Sequence, residues 1–120
     1  MDEIEVKSGK PTFISEIVED MNGDSVCITG RLTEHMVDIC QGKLSDPQGK
    51  ADVSVDTSLI EPFDAKIGSL FQMIGELETN VDKVALKARV VRCVDGMDMA
   101  LYRKVVQTQR VFFEKRNRQT

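Results

Sequence analysis

An alternation of apolar and polar residues begins at Ser25 and constrains the fold of this chain more than any other feature. In residues 25–33 every second position is apolar or glycine, as at Val26, Ile28 and Leu32. This period of two predicts a β-strand with one buried face. Gly30 within the strand indicates a bulge or a sharp bend, which a strand needs where it turns a barrel corner.

Four further segments continue the strand pattern. We expect Glu34-His35 to begin a turn, and "SDPQGK" has the residues that a type I turn prefers. The expected strands are "MVDICQGKL", with Val37 and Ile39 on one face; "ADVSVDT", with Ala51, Val53 and Val55 inward; "SLFQMIGELE", with Phe71 inward; and "VALKARVVRCV", with Val84, Leu86, Ala88 and Val90 on one face.

The order of these elements predicts the architecture. Pro62 forbids a long helix in "LIEPFDAKIG", so this connector is irregular or contains one short helix. Five strands with such a connection, followed by a helix, match the OB-fold, a five-stranded Greek-key barrel. The periodicity alone would also fit an SH3-like barrel or an open meander. We therefore predict an all-β OB-fold barrel with a C-terminal α-helix.

The length of 120 residues indicates one domain that comprises the whole chain. Within it we expect the barrel at about residues 24–96 and the helix at about residues 98–116. The acidic segment 1–23 is weakly patterned, and "TFISEIVED" is expected to form a short helix or an extended arm, which Asn22-Gly23 ends.

Several classes of function are disfavoured by composition. Cys27, Cys40 and Cys93 are far apart and form no CxxC pair, which indicates free thiols in a reducing, intracellular compartment. Neither a leader peptide nor a membrane-spanning run is expected. His35 is the sole histidine, expected on the surface, and no cluster has metal-ligand spacing. We expect no metal, no cofactor and no enzymatic activity.

The charge of the chain is divided unevenly along its length. Residues 1–80 carry a net charge of −10 and residues 81–120 a net charge of +6, within a total of −4. The outward residues Asp52, Ser54 and Asp56 would repel phosphates where OB-folds commonly bind single strands. Auxiliary DNA contacts are predicted at five basic residues: Lys87, Arg89, Arg92, Arg103 and Lys104.

The C-terminal helix carries more apolar surface than a cap on a small barrel requires. Asp98 is placed to cap its N-terminus, and basic residues lie at its other end. One apolar row contains Leu101, Val105 and Phe112, and the neighbouring row contains Tyr102, Val106, Gln109 and Phe113. One row could cover the open end of the barrel. Two rows, with Phe112 and Phe113 as the main anchors, predict a protein interface.

Residues 59–116 resemble a known family. The runs are "EPF…GSL…GEL" from Glu61 to Leu77, "KARV…CVDGM" from Lys87 to Met97, and "QRVFFEKR" from Gln109 to Arg116, with "GRL" at Gly30 to Leu32. They resemble the Ten-one family, which supplies the smallest OB-fold subunit of the CST complex. That complex is a trimer that binds telomeric single strands. About half of the chain carries the resemblance.

The resemblance implies a single OB-fold whose terminal helix packs against the helix of a second OB-fold subunit. By position it implies that Leu101, Tyr102, Val105, Phe112 and Arg116 face this partner, where the family often has tyrosine in place of Phe112. It further implies weak DNA binding by the subunit alone, a large CST subunit as a further partner, telomeric single-stranded DNA bound within the complex, and support of DNA polymerase alpha–primase in C-strand fill-in. A nuclear location at telomeric chromosome ends follows from the same resemblance.

Two alternative functions remain open from the residues. One is the small subunit of a replication protein A-like complex, which would also pair through its helix. The other is an autonomous, weak binder of single-stranded nucleic acid. Pairing through the helix and autonomous binding differ in whether the chain alone binds DNA tightly.

Overall fold

The alternating segments form a closed barrel that is followed by one long helix. The computed structural model describes residues 9–119, without the side chains of residues 113 and 116–119. The elements within this range are β1 (Lys10–Pro11), β2 (Ser25–Met36), β3 (Gln41–Ser45), β4 (Asp52–Asp56), β5 (Leu70–Thr79), β6 (Val84–Cys93) and α1 (Met99–Gln119), with short 3-10 turns at Ile14–Glu16, Glu19–Met21 and Val37–Ile39.

Strand β2 closes the barrel because it has partners along both of its halves. It pairs antiparallel with β5 over residues 25–31 and with β3 over residues 31–36. The remaining order runs from β3 through β4 and β6 to β5, with β4 and β6 parallel. The change of partner occurs beside Gly30, where an added Cβ would lie 2.9 Å from the carbonyl oxygen of Ser45. This topology confirms the predicted OB-fold barrel with a terminal helix.

The barrel interior contains the residues that the alternation placed inward. Ile28, Leu32, Met73, Leu77 and Leu86 are at most 1 % exposed. The predicted inward positions Val53, Val55 and Phe71 are buried as well, and Ile14 joins them from the segment before β2.

The hairpin between β2 and β3 differs from the prediction. Glu34 and His35 do not begin a turn, because β2 continues to Met36 and pairs His35 with Gly42. The predicted strand placement of Val37 and Ile39 is also wrong. They form a 3-10 turn and are 62 % and 57 % exposed.

His35 is not a surface residue, contrary to expectation. Its side chain is 10 % exposed, and Nε2 lies 2.6 Å from Oε2 of Glu61. Thr57 donates a second hydrogen bond to the same carboxylate at 2.7 Å. Burial alone would raise the pKa of the Glu61 carboxyl, but the hydrogen bonds from His35 and Thr57 lower it. The contact between His35 and Glu61 links the connector to β2. The connector is irregular, which confirms one of the two predicted alternatives.

A bulge in β6 overturns part of the predicted strand alternation. Ile74 pairs with Val90 and Gly75 with Ala88, so Arg89 is an extra residue on β6. The side-chain direction therefore reverses, and Val91 packs on the core while Val90 is 46 % exposed. A Cβ at Gly75 would overlap the carbonyl oxygen of Lys87. The close approach of β5 to the bulge in β6 therefore requires glycine at this position.

The segment before β2 closes over the barrel as β1 and two 3-10 turns. Strand β1 pairs in parallel with β2 at Val26 and Cys27. The predicted short helix or arm "TFISEIVED" contains the first 3-10 turn and the start of the second, with no α-helix. Residues 1–8 of the acidic segment lie outside the described part of the chain. Phe13 is 8 % exposed, which places an aromatic ring between this segment and α1.

Two arginines of α1 hold the helix against Phe13. The guanidinium carbons of Arg103 and Arg110 lie 4.1 and 5.0 Å from the centre of the Phe13 ring. Arg110 donates hydrogen bonds to both carboxylate oxygens of Glu16, at 2.7 and 3.0 Å, and to the carbonyl oxygen of Pro11 at 2.7 Å. We call Phe13, Glu16, Arg103 and Arg110 the helix clamp.

Replacement of Gly75 by alanine should destabilise the barrel by about 3 kcal/mol or more, because the new methyl group overlaps backbone that cannot rotate away. Thermal and urea unfolding measure the change. Ser54→Ala, on the exposed face of β4, should stay within about 0.5 kcal/mol of the parent. Equal stability of the Gly75→Ala and Ser54→Ala variants would contradict the close approach of β5 and β6 at Gly75.

The clamp predicts a pH-dependent stability. Hydrogen bonding by Arg110 lowers the folded-state pKa of Glu16. The Glu16–Arg110 ion pair therefore contributes fully to the free energy of unfolding above the unfolded-state pKa of about 4.3. This contribution disappears as the pH falls through the folded-state pKa of Glu16. Glu16→Gln should lower the Tm at neutral pH, and the difference from the parent should shrink toward pH 3. Glu19→Gln, in the next exposed turn, provides the control. A Glu16→Gln difference that is constant across pH would exclude the ionic component.

Candidate protein-interaction site on the terminal helix

The outer face of α1 presents a row of exposed apolar side chains. Leu101, Val105 and Phe112 are 58 %, 46 % and 57 % exposed. With Thr108 they are spaced by four, three and four residues, the spacing that keeps side chains on one side of a helix and forms helix–helix seams. We call Leu101, Val105, Thr108 and Phe112 the outer seam.

The neighbouring row faces the barrel instead. Val106 is 4 % exposed and Tyr102 is half-buried, so both side chains take part in holding α1 to its own barrel. The two predicted rows thus have different surroundings. Gln109 is exposed and lines, with Val106 and Arg110, a groove of about 690 Å³ between α1 and the segment around β1. The side chains of Phe113 and Arg116 lie outside the described part of the structure.

A polar network lies beneath the first turns of α1. Arg92 donates to Oε1 of Gln72 from Nε and Nη2, at 2.9 and 2.6 Å, and Gln72 donates in turn to Oγ1 of Thr29 at 3.1 Å. Burial raises the pKa of the Tyr102 phenol, and hydrogen bonding to Thr29 and Gln72 opposes the rise. Tyr102 therefore joins the helix to β2 and β5 through its polar end.

The N-terminus of α1 is capped as the sequence indicated. Oδ1 of Asp98 accepts a hydrogen bond from the backbone N–H of Leu101 at 3.1 Å. The cap fixes one end of the exposed row and the helix clamp fixes its middle. The outer seam is consequently presented in one orientation relative to the barrel.

The five predicted DNA-contact residues do not form one continuous basic path. Arg89 donates to Oγ of Ser25 at 2.6 Å, and Arg92 is bonded to Gln72 as described. Arg103 donates to Oε1 of Gln48 at 3.1 Å and lies 3.7 Å from a carboxylate oxygen of Asp46.

The other two basic residues, Lys87 and Lys104, are exposed. Lys87 pairs in register with Asp56 on β4 and with Glu76 on β5. These carboxylates interrupt any path for a phosphate backbone on this face.

The helix clamp was missed from the sequence, although one signal for it exists. Arg110 follows Val106 by four residues, so it places a cation on the row that faces the barrel. A cation there requires an anion or an aromatic ring opposite. No comparable signal marks Phe13 or Glu16, which lie in the weakly patterned segment.

Two negative observations apply to residues 9–119. No group of three or more histidine, cysteine, aspartate or glutamate side chains in this range is arranged to hold a metal ion. Among the same residues, no helix is both long and apolar enough to cross a membrane.

Comparison with known proteins gives consistent results. A family model described as "Telomere-capping, CST complex subunit" matches residues 5–116. The CST complex subunit TEN1 of Arabidopsis thaliana is 31 % identical over 117 residues, which cover 92 % of this chain and 91 % of that protein. The human CST complex subunit TEN1 is 42 % identical over 65 residues, so the alignment spans about half of each chain (53 %).

Solved structures show the same fold at lower sequence identity. Ten1 from S. pombe has a TM-score of 0.69 at 19 % identity, over 86 % of this chain and 98 % of that one. A chain of the S. pombe Stn1–Ten1 complex has a TM-score of 0.68 at 19 % identity, over 86 % and 92 % of the two chains. These likenesses confirm the architecture.

The family model covers residues 5–116, and the plant relative aligns over most of both chains. This chain therefore belongs to the family of telomere-capping CST complex subunits.

Proposed function

We propose that this chain is a non-enzymatic OB-fold subunit that pairs with a second OB-fold subunit through the outer seam of α1. The carrying observation is the exposed row of Leu101, Val105 and Phe112 on a helix that is already fixed to its own barrel. Exposed apolar rows on a rigid element are typical of protein interfaces. The solved Stn1–Ten1 complex of S. pombe, which has the same fold, supports pairing of this kind.

The residues predicted to bind the partner have two roles in this proposal. The side chains of Leu101, Val105 and Phe112 would pack against the helix of the partner, and Gln109 would flank them. Phe113 and Arg116 remain predicted contacts from their helical spacing. Tyr102 and Val106 would act by positioning, since they hold α1 against the barrel.

Within the assembled trimer, the subunit would associate with the large CST subunit and protect telomeric single-stranded DNA. It would also support DNA polymerase alpha–primase during C-strand fill-in, in the nucleus at chromosome ends. Family membership supports these roles. The carboxylates beside Lys87 favour a supporting role in DNA binding over an autonomous one.

The pairing is tested by Phe112→Ala in the full chain. Removing an aromatic anchor should cost about 2 kcal/mol or more, which is roughly a thirtyfold loss of affinity for the second OB-fold subunit. Isothermal titration calorimetry with the purified second subunit measures the loss. Val111→Ala is the matched control, because Val111 is 52 % exposed and lies off the seam on the same helix. Equal affinity of the two variants would exclude the outer seam as the interface.

The supporting role in DNA binding predicts weak binding by the chain alone. With an oligothymidylate of about 16 nucleotides at about 0.15 M salt, fluorescence anisotropy should show no tight complex until the second subunit is added. Lys87→Gln and Lys104→Gln should change this little. Tight, strongly salt-dependent binding by the chain alone would instead establish an autonomous binder. A replication protein A-like role would be established if the chain retained that complex's second subunit in a pull-down.

A further inference from the structure

A second surface of the barrel has the form of a binding groove. It measures about 280 Å³ and lies on the outer face of β3, β4 and β6. Ser54 and Ala85, which are paired in register between β4 and β6, line the groove. Since both side chains are small, the sheet surface is depressed between longer neighbours.

The rest of the groove lining comes from separate parts of the sequence. The β2–β3 turn contributes Ile39 and Cys40, next to Ser58 after β4. Glu78 near the end of β5 and Lys83 before β6 line it as well. A hydrogen bond from the backbone N–H of Thr57 to the carbonyl oxygen of Cys40, at 2.8 Å, holds the turn against the end of β4.

Exposed apolar side chains occur in the segments that contribute to this groove. Ile39 lines it directly, and four more lie within two residues of its lining positions in the sequence. The five are Val37, Ile39, Leu59, Val81 and Val84, with exposures of 62 %, 57 %, 60 %, 85 % and 38 %. Such a concentration of exposed apolar side chains is unusual for a surface that contacts water alone.

The groove also carries an excess of negative charge. Asp56 and Glu78 line it with Lys83, and Lys87 lies in register with Asp56 and with Glu76, so the carboxylates outnumber the lysines by one. Hydrogen bonds from Ser58 lower the pKa of Asp56, so this carboxylate is ionised at neutral pH. The charge therefore suits a cationic side chain and opposes a phosphate.

The surrounding backbone restricts how a ligand can bind. Strand β4 is paired with β3 on one side and with β6 on the other, so a partner cannot add a strand beside it. The lining residues include no aromatic ring on which a base could stack. Binding must therefore rely on side chains that enter the groove and on apolar contacts at its border.

We propose that this groove binds an extended segment of a protein partner in which one lysine or arginine is flanked by apolar residues. The basic side chain lies between Asp56 and Glu78, and the flanking residues pack on Ile39. The groove residues belong to β3–β6 and their turns, whereas the outer seam belongs to α1. This interaction is therefore additional to the helix pairing, and both partners can be bound together.

The probe is a phage-displayed library of random dodecapeptides, panned against the full chain. We expect enriched peptides that place a lysine or arginine beside leucine, isoleucine, valine or phenylalanine. In fluorescence polarisation, the synthesised peptides should bind at least tenfold more weakly to Glu78→Lys and to Ile39→Ser than to the parent. Asp56→Asn keeps the side-chain oxygen that accepts the hydrogen bond from the backbone N–H of Ser58. This variant should also bind the peptides more weakly than the parent.

Two controls separate this proposal from general stickiness and from the helix pairing. Ile67→Ser removes a side chain of similar exposure, 60 %, away from the groove and should bind the peptides normally. Phe112→Ala should also bind them normally, whatever its effect on pairing. Circular dichroism confirms that each variant is folded.

Three results would overturn the proposal. The first is enrichment of no peptide, or of peptides that lack a basic residue. The second is equal peptide binding by the parent and Glu78→Lys. The third is displacement of the peptides by oligothymidylate at about 0.15 M salt, which would assign the groove to nucleic acid.

Discussion

The position of the terminal helix depends on one aromatic ring, that of Phe13, between two guanidinium groups. Arg103 and Arg110 are seven residues apart on α1, so both reach the same ring from one side of the helix. Each contact of this type contributes on the order of 1 kcal/mol. Glu16 adds charge to the same place and prevents Arg110 from turning toward solvent. The outer seam points away from the barrel because these contacts occupy the opposite side of the helix.

Much of the barrel could be predicted from residue order because it follows from strand periodicity. The inward positions of β2, β4 and most of β5 are those of the alternation, and Gly30 marks the change of partner in β2. The errors occurred where one residue changes the register. The extra residue Arg89 reverses the direction of Val90, and the β2–β3 hairpin ends in a turn that alternation cannot detect. Such events depend on the neighbouring strand, so a single strand's sequence does not contain them.

The terminal helix shows the same limit for a candidate interaction surface. Its two apolar rows were visible in the sequence, as was the Asp98 cap. Their assignment to different sides required the position of Phe13, which is distant in sequence. Whether Phe112 contacts a partner stays a prediction, while the burial of Val106 against the barrel is a property of this chain alone.

The helix clamp also affects when the outer seam can be oriented during synthesis. The bond from Arg110 to the carbonyl oxygen of Pro11 joins residues 99 positions apart. Contacts of such separation form late, because the loop between them must first be ordered. A nascent chain can complete its barrel strands before α1 has been made, but it cannot yet orient the seam. A partner that requires the oriented seam would therefore join a finished subunit and not a growing one, which makes assembly sensitive to truncation at either end of the chain.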